Sequence, residues 1–163
     1  MSELTHLNVH SHYTLLGATP SVEDVVKLAA RQGMQALALT DTNALYGAVS
    51  FANQCKAAGI QPIIGMTVTV TPPEELIELS QGSTGEIVLL ATDRSGWSSL
   101  CGISSALQAR ADREEMVLRG VDWETLRQHR SGLLCLVGGR RSWIGRALRS
   151  GYANVATRYA SRL

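Results

Sequence analysis

The chain has no acidic residue after Glu124, a single phenylalanine, and no two cysteines at CxxC spacing. No apolar run approaches the roughly 20 residues that a membrane helix needs, so no spanning helix is expected. The opening "MSELTHLN" has no basic stretch leading into an apolar one, which argues against a secretory signal. Aromatics are only 5% of residues, so a core must rest on Leu, Val, Ile and Ala. Cys55, Cys101 and Cys135 are far apart and odd in number. That pattern excludes a zinc ribbon and a disulfide framework, and it fits a reducing, cytoplasmic setting. Buried free cysteines acting as small hydrophobes are the simplest expectation. No GxGxxG or P-loop follows any strand-like run, so a nucleotide fold has no direct support. Internal repeats and low-complexity segments are absent too.

What the chain does have is an uneven charge. Residues 1–109 sum to −5 and residues 110–163 to +6, with eight arginines from Arg127 onward. Such a basic segment could meet nucleic acid or an acidic partner. It could equally be a solvated face, because no aromatic-plus-basic motif accompanies it. With 163 residues and 45% hydrophobic content, residues 1–163 are expected to form a single domain.

The elements alternate. "HLNVH" reads as extended. "TPSVEDVVKLAARQGM" reads as a helix capped by Ser21, with Asp24 in a box-like position and Gly33 at the stop. Val22, Val25, Val26 and Ala29 share one helical face. "QALALT" is a buried strand, "NALYGAVSFANQCKAAGI" a helix, and "QPIIGMTVTV" the next strand. "TPPEELIELSQGSTG" is a break, and "EIVLLAT" is again a strand. "SGWSSLCGISSALQ" follows as a helix with Trp97, Leu100, Ile103 and Leu107 on one side. "WETLRQHR" is a short helix, "GLLCLVG" a fifth strand, and "RSWIGRALRSGYANVATRYASRL" one or two helices. Apolar strands alternating with helices predict an α/β fold with mostly parallel strands, of which a doubly wound sheet is one form.

Three of the four histidines crowd the amino terminus, at His6, His10 and His12. If the extended stretch continues, Asn8, His10 and His12 share one face, and the HxH pair could present two imidazoles to one metal. "LTD" ends the second strand and would bring Asp41 to the same rim, where ligands of β/α folds collect. A His/Asp group around a divalent metal could activate water against a phosphate ester. The structural alternative makes Asp41 the cap of the following helix, with Asn43 in local turn bonds.

"VHSHYTLLGA", "GMQALALTDTNALYGAVSF", "AAGIQPIIG" and "IVLLATDRSGWSSLCGISS", with a weaker continuation in "WETLRQHRSGLLCLVGG", resemble one family. It is the polymerase-and-histidinol-phosphatase (PHP) domain found at the amino terminus of bacterial DNA polymerase III alpha subunits, the replicative or error-prone C-family polymerases. The resemblance implies a distorted (β/α)7 barrel, here an incomplete amino-terminal portion, with a metal cluster at its carboxyl rim. In some members that site removes nucleotides 3′ to 5′; in others it is degenerate and structural. It also implies that the carboxyl-terminal Asp-x-His motif of the family lies beyond Leu163.

The family's metal ligands are carried over residue by residue, and most do not match. Its first His falls on Asn8 and its second on His10. The acid of "LLDG" is missing from "LLGA". The His after "TD" is Thr42, the Glu of "IIGxE" is Thr67, the His opening the next strand is Glu86, and a late Cys or His is Gly139. The implied remnant is His10, with His12, Asp41 and Glu86 as helpers of a vestigial site. No catalytic residue is assigned. No cofactor is expected; the alternative is a divalent Zn, Mn or Fe. The expected partners are the remainder of a polymerase chain, DNA through that parent, and a second copy of the fragment. Arg140, Arg141, Arg146 and Arg149 are the candidate contact surface. The competing expectations are a divergent metal-dependent phosphoesterase or exonuclease, and a stand-alone PHP-fold binding protein.

Overall fold

The computed structural model describes residues 4–80, 82–108 and 119–163. Its elements are α1 (Val22–Arg31), β1 (Ala36–Leu39), α2 (Ala48–Ala57), β2 (Gln61–Val70), a 3-10 turn (Glu74–Leu76) running into α3 (Ile77–Ser80), β3 (Gly85–Ala91), α4 (Arg94–Gln108), α5 (Trp123–Gln128), β4 (Leu133–Leu136), α6 (Trp143–Arg149) and α7 (Ala153–Ala160).

Local chemistry sets the first helix. Ser21 Oγ accepts from Asp24 N at 3.1 Å, and the Asp24 carboxylate accepts from Ser21 N at 3.3 Å. This reciprocal box satisfies two of the helix's orphan donors. Val22, Val26 and Ala29 are buried, and Gly33 takes φ +71° just past the end. The second helix starts later than its sequence pattern suggests. Asn43 sits at φ +56°, and the chain turns until Gly47 before α2 begins.

The sheet has the order β1-β2-β3-β4. β1 and β2 are parallel, but β2/β3 and β3/β4 are antiparallel. The expectation of mostly parallel strands is therefore wrong for this sheet, and two connections explain why. Between β2 and β3 the described residues hold a 3-10 turn and a one-turn helix behind two prolines, too little to cross the sheet and bring β3 back parallel. After β3, α4 runs back along the sheet for about 22 Å. Val121 then bridges to Val70, and α5 returns the chain to the far end before β4 starts. A single traverse would have made β4 parallel; α4 running back and α5 returning leave it antiparallel to β3. Four strands make up this sheet among the described residues, and a closed seven-strand barrel is not among them.

"HLNVH" lies beside β1 without becoming a strand. Ala38 N donates to His6 O and Thr40 N to Val9 O, but Val9 N turns to the Thr40 hydroxyl at 3.0 Å. A side chain takes the place of a ladder bond, so the first of the five expected strands, "HLNVH", is absent from the described sheet.

Two clusters form the core. One packs α1 and α2 on β1, around Phe51, Leu37 and Val26. The larger packs α4, α6 and α7 on β2–β4, around Leu100, Ile103, Leu107 and Trp143. Trp143 is 1% exposed and its indole N–H donates to Val70 O at 3.2 Å. Gly85 lies against the indole, where a Cβ would overlap the ring. Trp97 does not join its helix-mates: it is 36% exposed at the first turn of α4, whereas Leu100 is fully buried. All three cysteines are free; Cys55 is buried, and Cys101 and Cys135 are half-buried. Among the described residues no helix is long and apolar enough to cross a membrane.

Truncating Leu100 to Ala removes a side chain that the core surrounds completely, and should cost about 2–5 kcal/mol. Trp97→Ala should cost less than half as much. Urea midpoints of the two variants check the ranking, and a larger loss for Trp97 would contradict the packing described.

Candidate functional site

The carboxyl ends of β1 and β2, the start of β3 and the chain after β4 meet at one rim. Asp41, Thr67, Glu86 and Gly139 come to that rim from four different segments.

Asp41 is its centre. It is 2% exposed, and it does not cap α2, whose N-cap is Gly47. Its Oδ1 accepts from Ser11 N at 2.6 Å and from Thr14 Oγ1 at 2.8 Å; its Oδ2 accepts from Ser11 Oγ at 2.7 Å. A buried carboxylate needs such partners to stay soluble in the protein interior. The donors reach it because residues 11–14 form a tight turn, with Thr14 N bonded to Ser11 O at 2.9 Å.

The same turn defines His10. Thr14 has one hydroxyl proton and places it on Asp41, while its oxygen accepts from Thr42 N at 3.1 Å. His10 Nδ1 lies 3.0 Å from that oxygen and so must be the donor. This fixes the tautomer and leaves Nε2 unprotonated, with no hydrogen-bond partner among the described residues. The pKa of His10 is held below the usual 6.5, chiefly by burial and further by Arg141, against the opposing charges of Asp41 and Glu86.

The turn also separates the histidines. His12 is exposed, and its ring sits 4.3 Å from that of Tyr13. The extended stretch ends before His12, so the shared face with His10 does not form. Asn8 uses its Oδ1 to accept from Thr40 Oγ1 at 2.8 Å. Thr67 is 3% exposed, and its hydroxyl has no hydrogen-bond partner among the described residues. Glu86 is tied to Arg141 twice: a side-chain ion pair of 3.0 Å, and a backbone bond from Glu86 N to Arg141 O.

Two of the remaining arginines of the expected contact surface are engaged within the chain through their side chains. Arg146 stacks over Trp143 at 4.7 Å and donates to Ser83 Oγ, and Arg149 donates to Arg140 O. Arg140, Arg141 and Arg149 are nevertheless exposed. Sequence reasoning missed Ser11, Thr14 and Thr40, the hydroxyls that tie the amino-terminal stretch to β1. Their signal was weak: three small polar residues near buried positions, with nothing to show that a turn would aim two of them at Asp41.

Chemically, the site is short of donors for a metal cluster. Both Asp41 oxygens are committed to protein donors, Glu86 holds a guanidinium, and Asn8 holds a hydroxyl. Among the described residues no group of three or more His, Cys, Asp or Glu could hold a metal ion. Among the described residues His10 Nε2 is an imidazole nitrogen at the rim without a hydrogen-bond partner, and stable zinc sites want three or four good ligands.

A family model for the PHP domain matches residues 6–163. The DNA polymerase III alpha subunit of Bacillus subtilis is 37% identical over 146 residues, covering 90% of this chain and 12% of that one. The alpha subunit of Buchnera aphidicola is 35% identical over 156 residues, covering 95% and 13%. The chain thus spans about an eighth of the length of the curated relatives it matches. A metal-dependent phosphoesterase from Bifidobacterium adolescentis has a similar fold at 16% identity, with a TM-score of 0.50 over 97% of this chain and 52% of that chain.

Asp41→Asn would face an amide N–H₂ or a weaker acceptor toward three donors, and should cost about 2–4 kcal/mol. Loss of amide-exchange protection at Ser11 would localise the effect. The pH dependence has a defined sign. His10 resists protonation in the fold, so its contribution is full above 6.5 and is lost as the pH falls below that value. The urea midpoint should therefore drop between about pH 7 and about pH 5.5, and drop less in His10→Gln. An identical slope in both proteins would show that His10 is not the group responsible.

Proposed function

The chain belongs to the PHP domain family, and from that premise we propose that it works as the amino-terminal PHP region of a DNA polymerase III alpha-type polymerase. Identity of 37% to such a subunit across 90% of the chain carries this reading. Residues 1–163 would be one PHP-type unit of a larger cytoplasmic protein. The parent would be a DNA-directed DNA polymerase, a nucleotidyltransferase in bacterial replication or error-prone synthesis. Its polymerising chemistry would reside in the rest of that chain, and DNA would be met through the parent.

Within that parent we assign this region a structural role rather than a hydrolytic one. The support is the use to which the rim puts its polar groups. Asp41 anchors the turn at residues 11–14, and Glu86 is neutralised by Arg141. Clustered carboxylates and imidazoles in a concave rim repel one another and lose solvation unless a cation balances them. Thr67, Asn8 and Gly139 remove most of that demand. The metal-free platform would present Arg140, Arg141, Arg146 and Arg149 toward the remaining polymerase chain or its DNA. His12, on its exposed turn, would take no part in any site.

The second reading is a divergent metal-dependent phosphoesterase. It draws on the fold shared with the Bifidobacterium protein and on His10 Nε2, which has no hydrogen-bond partner among the described residues. Metal analysis of the purified chain separates the two. The platform reading expects substoichiometric Zn, Mn and Fe, and a Tm unchanged by EDTA. One metal per chain, lost in His10→Ala together with a drop in Tm on chelation, would overturn it in favour of the phosphoesterase.

A further inference from the structure

A cavity of about 160 Å³ lies between α6 and the 3-10 turn that precedes α3. Leu76, Trp143 and Ala147 are buried and give it an apolar floor. Arg146, Arg149 and Ser150 complete the lining, with no carboxylate among the lining residues and no residue after Ser150.

The guanidiniums here are held by neutral groups. Arg146 lies 4.7 Å over the Trp143 ring and donates to Ser83 Oγ at 2.6 Å. Arg149 donates to the backbone oxygen of Arg140 at 2.6 Å, which ties it to the segment of a third, exposed arginine. Among the described residues none of these three arginines makes an ion pair. Arg141, next along the chain, differs: Glu86 neutralises it. The end of α6 offsets only about half a unit of positive charge, much less than the guanidiniums carry. Their partners therefore orient the charge without cancelling it, and the apolar floor screens it poorly.

We propose that this cavity is a binding site for a single phosphoryl group, with Arg146 and Arg149 donating to its oxygens. The donor set decides for this ligand over a carboxylate. One guanidinium fork fills both oxygens of a carboxylate, whereas a phosphoryl group offers three or more and takes forks from two arginines at once. The space is roughly ten times the minimum for one water, enough for a group of five heavy atoms. Two sources carry that group, free phosphate and a nucleic-acid backbone; the second would deepen the platform reading above and rests on it.

The test uses the whole chain and inorganic phosphate, followed by phosphorus NMR line width and by Tm at constant ionic strength. Saturable binding is expected, weakened about tenfold or more by Arg149→Glu and by Arg146→Lys, which keeps the charge but loses the fork. Arg31→Ala on α1 should leave it unchanged. Arg149 is exposed, and Arg149→Ala reads the same loss if the charge reversal disturbs folding. Competition by oligothymidylate would identify the source as a nucleic-acid backbone, and phosphate binding without it would identify free phosphate. The proposal fails if phosphate does not saturate, if chloride at equal ionic strength has the same effect, if acetate binds as well, or if the arginine variants bind like wild type. Binding lost with EDTA or in His10→Ala, but kept in the arginine variants, would put the phosphate on a metal at the rim and overturn this site and the platform reading together. A metal-free chain that binds no phosphate overturns this site alone.

Discussion

Much of the rim depends on a single buried carboxylate. Asp41 ends β1 in a place where water cannot reach it, and it is kept there by the Ser11 amide and two hydroxyls. Those three bonds turn the chain at residues 11–14. The turn in turn orients His10, pushes His12 into solvent and sets Thr14 against Thr42 N. One acceptor with two oxygens thereby organises a segment that has no regular secondary structure. This also explains why the site reads as depleted rather than damaged: its central acid has been absorbed into the architecture.

How much of this is legible in the sequence varies with how local the cause is. The cap at Ser21 and Asp24 is a four-residue pattern and appears as read. Leu100, Ile103 and Leu107 follow helical spacing and are buried as read. Trp97 obeys the same spacing but stands at the first turn of α4, where the neighbouring elements no longer cover it; periodicity carries no information about where cover ends. Strand direction is harder still. β4 runs antiparallel because α5 makes a second traverse, and six residues of helix look alike whichever way they travel.

The candidate site divides along the same line. That Asp41 and Glu86 would approach one rim follows from strand ends alone. That Asp41 would be claimed by Ser11 and Thr14, and Glu86 by Arg141, does not, since those partners lie 27 to 55 residues away in sequence. The arginines show the reverse error of inference. A run of basic residues looks like one surface, yet folding sorts it into members stacked or bonded internally, such as Arg146, and members paired with a distant acid, such as Arg141.

The contact between Trp143 and Val70 has a kinetic side. The smaller core cluster draws on residues 9 to 64, so it can assemble from a nearly continuous stretch of chain. The larger one cannot: its central indole bonds a carbonyl 73 residues earlier, and Gly85 leaves a bare place for that ring. A chain emerging from its amino terminus would therefore complete one cluster early while the apolar face of β2 and β3 waited for Trp143. During that interval the face is exposed to other chains, and such transient surfaces are where aggregation begins. The cluster closes only when Trp143 and, after it, Val155, Ala156 and Tyr159 have joined the strands.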